Sequence, residues 1–92
     1  MVTVHLTNHL YAFFPQLEGK ELKVEASTVA EVIRALEPLA PGIGFYLCDE
    51  RGKLRTHVNV FVDKQIIKDR RTLSDPVGEG AEVHVLQALS GG

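Results

Sequence analysis

Few side chains in this 92-residue chain are of types that do chemistry, and their spacing argues against most reactions. Histidines stand at His5, His9, His57 and His84. His5 and His84 occupy alternating polar positions of predicted strands, so pairing of the first and last strands would bring them together. No carboxylate or cysteine has metal-ligand spacing to either, and both read as solvated sheet-face histidines, with no metal site expected. A single cysteine, Cys48, excludes an internal disulfide, a zinc knuckle or an iron–sulfur cluster. As a nucleophile it would need a cationic or helix-N-terminal setting, which Leu47 and Asp49 do not supply. It reads as a structural thiol. Lys68-Asp69-Arg70-Arg71 forms a small basic cluster, able to dock an acidic surface but ordinary as a solvated face. Gly-x-Gly-x-x-Gly, P-loop and Ser-His-Asp patterns are missing.

The end of the sequence differs. It runs Gln87-Ala88-Leu89-Ser90-Gly91-Gly92. Terminal glycines pack nothing and are the costliest residues to order, so a folded domain gains no stability from them. Their use is passage. Two residues without Cβ can thread a narrow active site of another protein and deliver a free α-carboxylate there. The expectation is a body of residues 1–88 and a flexible tail of residues 89–92, mobile past Leu89.

The elements that must position such a tail are legible in the periodicity. Val2 to Thr7 alternates apolar and polar residues with β-branched side chains, as a half-buried strand does. A long connection follows, punctuated by Pro15 and Gly19, before Lys20 to Ala26 alternates again. The two segments read as an antiparallel pair. Thr28 and Glu31 stand in capping-box spacing with Ser27 as a competing N-cap. Val29, Val32, Ile33 and Leu36 then make one apolar stripe of a helix that ends near Glu37, before Pro38. Phe45-Tyr46-Leu47 is expected to plug the domain in a short turn, and Asp49 to Lys53 is turn-like. Val58 to Val62 is the most β-prone run. Asp63-Lys64 turns it into Gln65-Ile66-Ile67, and Ala81 to Leu86 forms the last strand. One helix serving four to five strands is an α+β arrangement, not a doubly wound sheet.

Composition bounds the rest. Ten Lys and Arg against twelve Asp and Glu leave a net charge of −2, without the basic footprint of a nucleic-acid binder. Leu10 to Phe14 is too short for a signal segment, and no apolar run approaches the ~20 residues of a membrane span. A cytoplasmic protein is expected. Burying roughly 64% of the unfolded surface supports a small fold with little stability to spare for an enclosed pocket. A site should therefore be a surface, a loop or a terminus.

The ββαββ order with a Gly-Gly end resembles the ubiquitin-like β-grasp sulfur carriers of the MoaD/ThiS type. The likeness covers nearly the whole chain. It is strongest over His57 to Asp63 and over Leu73 to Gly92. Gly80-Ala81-Glu82-Val83-His84-Val85-Leu86 is similar to the family's G-D-E-V-x-[IL]-[LIF] strand, and Leu89-Ser90-Gly91-Gly92 to its V-[AS]-G-G tail. Ala81, Gln87 and Asp63-Lys64 depart from the usual pattern. The segment Asp49 to Asn59 looks like the longer, cysteine-pathway (CysO) type.

The resemblance implies a carrier and not an enzyme, with no cofactor of its own and a mixed β-grasp sheet packed on one main helix. A ubiquitin-activating-like enzyme would adenylate the Gly92 carboxylate, and a persulfide would displace AMP to leave a thiocarboxylate. The sulfur would pass to a biosynthetic acceptor, such as a cysteine synthase or a molybdopterin synthase large subunit, or to one of the thiamine type. Gly92 takes the reacting role and Gly91 the clearance role. Leu89 and Ser90 complete the recognised tail, with Leu89 as apolar anchor beside the sheet face. Two other readings compete. One is a protein modifier conjugated through Gly92 to lysines, which shares the activation step. The other is a plain interaction domain, which has no need of the two glycines.

Overall fold

A computed structural model describes residues 1–87. The expected boundary at residue 88 and the tail residues Leu89, Ser90, Gly91 and Gly92 lie outside the described residues. The elements are β1 (Val2–Leu6), α1 (Asn8–Phe13), a 3-10 turn (Pro15–Leu17), β2 (Leu22–Val24), α2 (Val29–Leu36), α3 (Ile43–Leu47), β3 (Val58–Val62), β4 (Gln65–Ile66) and β5 (Glu82–Gln87). The strands form one mixed sheet in the order β2-β1-β5-β3-β4. β1 pairs antiparallel with β2 and parallel with β5, while β5 runs antiparallel to β3. The expected antiparallel first pair and mixed β-grasp sheet are present.

Alternation decides which face of each strand packs. Val2, Val4 and Leu6 of β1, Val58 and Val60 of β3, and Val83 and Val85 of β5 enter one core with the apolar stripe of α2. Val29, Val32 and Leu36 are fully enclosed and Ile33 is 7% exposed. The helix starts where the sequence places it, with Thr28 as N-cap accepting from the Glu31 N–H at 3.2 Å. The return arm of the capping box is displaced by one residue: the Glu31 carboxylate accepts from the Ser27 N–H at 2.7 Å and the Ser27 hydroxyl at 2.8 Å. Two further N–H groups of the first turn would be orphans. The Val29 N–H donates to the Asp75 carbonyl and the Ala30 N–H to the Leu73 carbonyl.

Two stretches differ from expectation. The connection after β1 contains α1, whose sequence shows no stripe because only Leu10 of its six residues is buried. Phe45-Tyr46-Leu47 lies in helix α3 and not in a short turn. α3 owes its start to a distant residue: the Glu37 carboxylate, seven positions before Gly44, accepts from the Gly42 and Gly44 N–H groups at 2.7 and 3.1 Å. Gly42 at φ 97° lets the chain enter the helix from the left-handed region. The β3–β4 hairpin turns at Asp63 and Lys64, both at positive φ, the geometry of a primed two-residue turn. No helix among the described residues is long and apolar enough to cross a membrane.

Candidate functional site

The site that the sequence singles out begins where β5 ends. β5 is the central strand, hydrogen-bonded on both edges. On one side Thr3, Val4, His5 and Leu6 stand in register with Glu82, Val83, His84 and Val85, and the Thr7 N–H extends the ladder to the Val85 carbonyl at 3.2 Å. On the other, Val58 to Val62 pairs with Gln87 back to Val83. Val58, which faces Gln87, is fully enclosed. The chain is therefore clamped from two sides up to Gln87.

The outer sheet face surrounds this exit. Across neighbouring strands His5, His84 and Phe61 stand side by side, with Ile66 opposite Phe61 on β4. The His5 and His84 rings stack at 4.4 Å with planes 18° apart, so the two residues meet as the strand pattern predicts. His5 Nε2 lies 2.9 Å from Glu82 Oε1. This is a poor metal site. An imidazole nitrogen offers its lone pair in the plane of its ring, and two nearly parallel, stacked planes do not converge on one ion. Among the described residues no group of three or more His, Cys, Asp or Glu is arranged to hold a metal. Ile66 and Leu86 leave 53% and 36% of their surface in water, which gives the face an apolar component.

The other candidates resolve into structure. Cys48 is 7% exposed, and burial, together with the neighbouring Asp49 carboxylate, pushes its thiol above the usual range. Such a thiol is a poor nucleophile at neutral pH. Lys68-Asp69-Arg70-Arg71 is not one basic surface. Arg70 turns inward and donates to the carbonyls of Arg55 and Val58 at 2.7 and 2.9 Å and to Asn59 Oδ1 at 3.1 Å. Asp69 accepts from the Ser74 and Thr72 hydroxyls and from the N–H groups of Arg71, Thr72 and Ser74, which hold its carboxyl far below the usual carboxylate range. His9 packs edge-on against Phe13, and His57 sits exposed before β3.

The sequence model of the ThiS family matches residues 4–92, which includes the Gly91-Gly92 end. The chain belongs to the ThiS family. Solved structures agree with that placement. A chain of the Amycolatopsis orientalis BexX/CysO complex is 28% identical and superposes with a TM-score of 0.84, covering 100% of both chains. CysO from Mycobacterium tuberculosis is 28% identical with a TM-score of 0.81, over 97% of this chain and 100% of that one. SAMP1 from Haloferax volcanii shares the fold at 21% identity and a TM-score of 0.73, over 99% and 98%. No curated protein matches the sequence. As a ThiS-family protein, the chain is a small carrier protein of ubiquitin-like fold and not itself an enzyme.

Two features of this ThiS-family chain escape sequence reasoning. α1 and α3 meet through Phe13 and Phe14, both within 6 Å of Tyr46, ring centroid to ring centroid at 5.1 and 5.6 Å. Gathering of Arg34, Arg51 and Arg71 around one groove is likewise invisible, because the three come from separate elements. The aromatic run Tyr11-Ala12-Phe13-Phe14 is the one local sign that the first connection packs against something.

Proposed function

We propose that this chain carries sulfur on Gly92. A partner enzyme brings the Gly92 carboxylate to the α-phosphorus of ATP, displacing pyrophosphate and forming an acyl-adenylate. A sulfur nucleophile then attacks the acyl carbon and AMP leaves. Where the sulfur arrives as a persulfide, a thiol reduces the resulting acyl disulfide to the thiocarboxylate. The activation has a plain reason: a carboxylate is a poor electrophile, and adenylation supplies a leaving group. Gly91 provides clearance in the enzyme's channel, and Leu89 and Ser90 are the recognised residues between it and the sheet. Five residues follow Gln87, so the reacting carbon works within about 17 Å of the clamped strand. The outer face around His84, Phe61 and Leu86 is then within reach of the same enzyme.

The observation that carries this reading is the family match that runs through Gly91 and Gly92. The 28% likeness to CysO from Mycobacterium tuberculosis and to a chain of the BexX/CysO complex supports a cysteine-type acceptor over a molybdopterin or thiamine one. The test is direct. Incubated with ATP, a sulfur donor and the cognate adenylating enzyme, the protein should gain the mass difference between sulfur and oxygen on its C-terminal peptide. Removing Gly92 or extending beyond it should abolish the gain. Sulfur on Cys48, or full loading of an untrimmed extended chain, would overturn the proposal. Lysine-linked adducts without a thiocarboxylate would replace it with the modifier reading.

A further inference from the structure

The helical layer, on the side of the sheet away from His5 and His84, carries a groove of about 560 Å³. It runs between α2, α3, the 49–52 turn and the 71–73 segment. Ile33 and Leu73 lie in its floor at 7% and 3% exposure, while Phe45 stands on its rim at 70%. Phe45 is the most exposed large apolar side chain among the described residues. A Phe left so far in water beside an apolar floor is surface that another molecule can bury.

The polar part of the rim says what kind. Arg34, Arg51 and Arg71 line it together with Glu37, Asp49 and Glu50, so formal charges balance. Hydrogen bonding does not. The Glu37 carboxylate is occupied by the Gly42 and Gly44 N–H groups, and Asp49 by those of Arg51 and Lys53. Among the described residues, the guanidinium groups of Arg34, Arg51 and Arg71 form no ion pair. Each guanidinium offers five donors in a planar fork matched to a carboxylate. The groove thus presents an apolar floor ringed by three guanidinium forks against a single carboxylate, Glu50, that the backbone does not engage.

We infer that this groove docks a partner-protein segment in which aliphatic or aromatic side chains alternate with Asp or Glu. The apolar residues cover Ile33, Leu73 and Phe45, and the carboxylates meet Arg34, Arg51 and Arg71 in bidentate pairs. The site is independent of the Gly92 chemistry and sits on the opposite side of the sheet from the face proposed above. A second protein can therefore hold the domain while an enzyme holds its end.

The test uses the full chain, ¹⁵N-labelled, and the blocked peptide Glu-Leu-Asp-Phe-Glu-Leu-Asp, with its Gln/Asn analogue as the neutral control. Amide shifts should move at Ile33, Phe45, Gly52 and Leu73, and the neutral analogue should bind at least tenfold more weakly. Arg51→Glu with Arg71→Glu should cost tenfold or more, Phe45→Ala severalfold, and added salt should weaken binding. All three residues are exposed, so wild-type melting is expected; if the reversals perturb it, Arg51→Gln and Arg71→Gln give the same readout. No groove shifts at millimolar peptide, shifts on the His5–His84 face instead, or equal binding of the neutral analogue would overturn the inference. Concentration-dependent dimerisation lost in the Arg variants would also overturn it, in favour of a second copy as occupant. Sulfur loading of Gly92 should be unchanged in these variants, so failure of the groove and failure of the carrier reading are separable.

Discussion

On the inner side of β5, Val83 and Val85 are fully enclosed, whereas on the outer side Glu82, His84 and Leu86 stay partly in water. The same six-residue strand thus carries two kinds of constraint at a spacing of two. Inward residues are held by volume, since any change leaves a cavity or a clash against α2. Outward residues touch only one another across the strands, as His84 and Glu82 touch His5, and leave surface available for recognition. A carrier built this way can alter the partners it meets without altering its stability.

That contrast can be broken by substitution. The largest effect is expected from Val32→Asp, which places an unpaired carboxylate against the inner face. Its cost is on the order of 5 kcal/mol, comparable with the whole stability of a domain this size, so circular dichroism should show an unfolded chain at 25 °C. Wild-type melting would mean that α2 faces the other way. Val83→Ala removes two enclosed methyl groups and should cost about 2 kcal/mol in a urea titration. Thr28→Ala deletes the N-cap bond of α2 for about 1 kcal/mol.

A smaller and pH-dependent effect belongs to Asp69. Its hydrogen bonds favour the ionised form, so its folded pKa lies below the unfolded value. The stabilisation is present above the usual carboxylate range and fades as pH falls from about 5 towards the folded pKa. Asp69→Asn should lower the melting temperature at neutral pH and flatten part of its fall below about pH 5. An unchanged acid limb would show that Asp69 contributes nothing there. Least of all, Leu86→Ala on the outer face should stay within about 0.5 kcal/mol of wild type while raising KM for the adenylating enzyme. Equal losses at Val83 and Leu86 would erase the distinction between the faces.

How much of this the sequence discloses follows the range of the forces involved. α2 is legible because its cap and its stripe lie within ten residues. The strands are legible because alternation is local too, and β5 is displaced by only one residue from the expected Ala81 to Leu86. α1 and α3 are not, because their stabilisation comes from elsewhere. Leu10 is buried by the core and Glu37 caps α3 across Pro38 and Pro41. Arg70 looks like a surface charge beside Lys68 and Arg71, and only the fold brings the Arg55 and Val58 carbonyls to it. Of the site, the His5–His84 meeting is readable from strand pairing, whereas the groove depends on four separate segments.

The parallel pairing of β1 with β5 has a practical consequence for handling the protein. Thr3 stands opposite Glu82, the Gly80 N–H donates to the Met1 carbonyl at 3.1 Å, and the Met1 amine pairs with Glu79. Met1 is therefore anchored at the entry of the strand whose other end is Gln87, about 17 Å away along five residue steps. An affinity handle, a dye or a bead attached ahead of Met1 sits at the opposite end of β5 from Gln87. The molecule can be immobilised by its head for pull-down or single-molecule work with the surface a strand's length from Gln87.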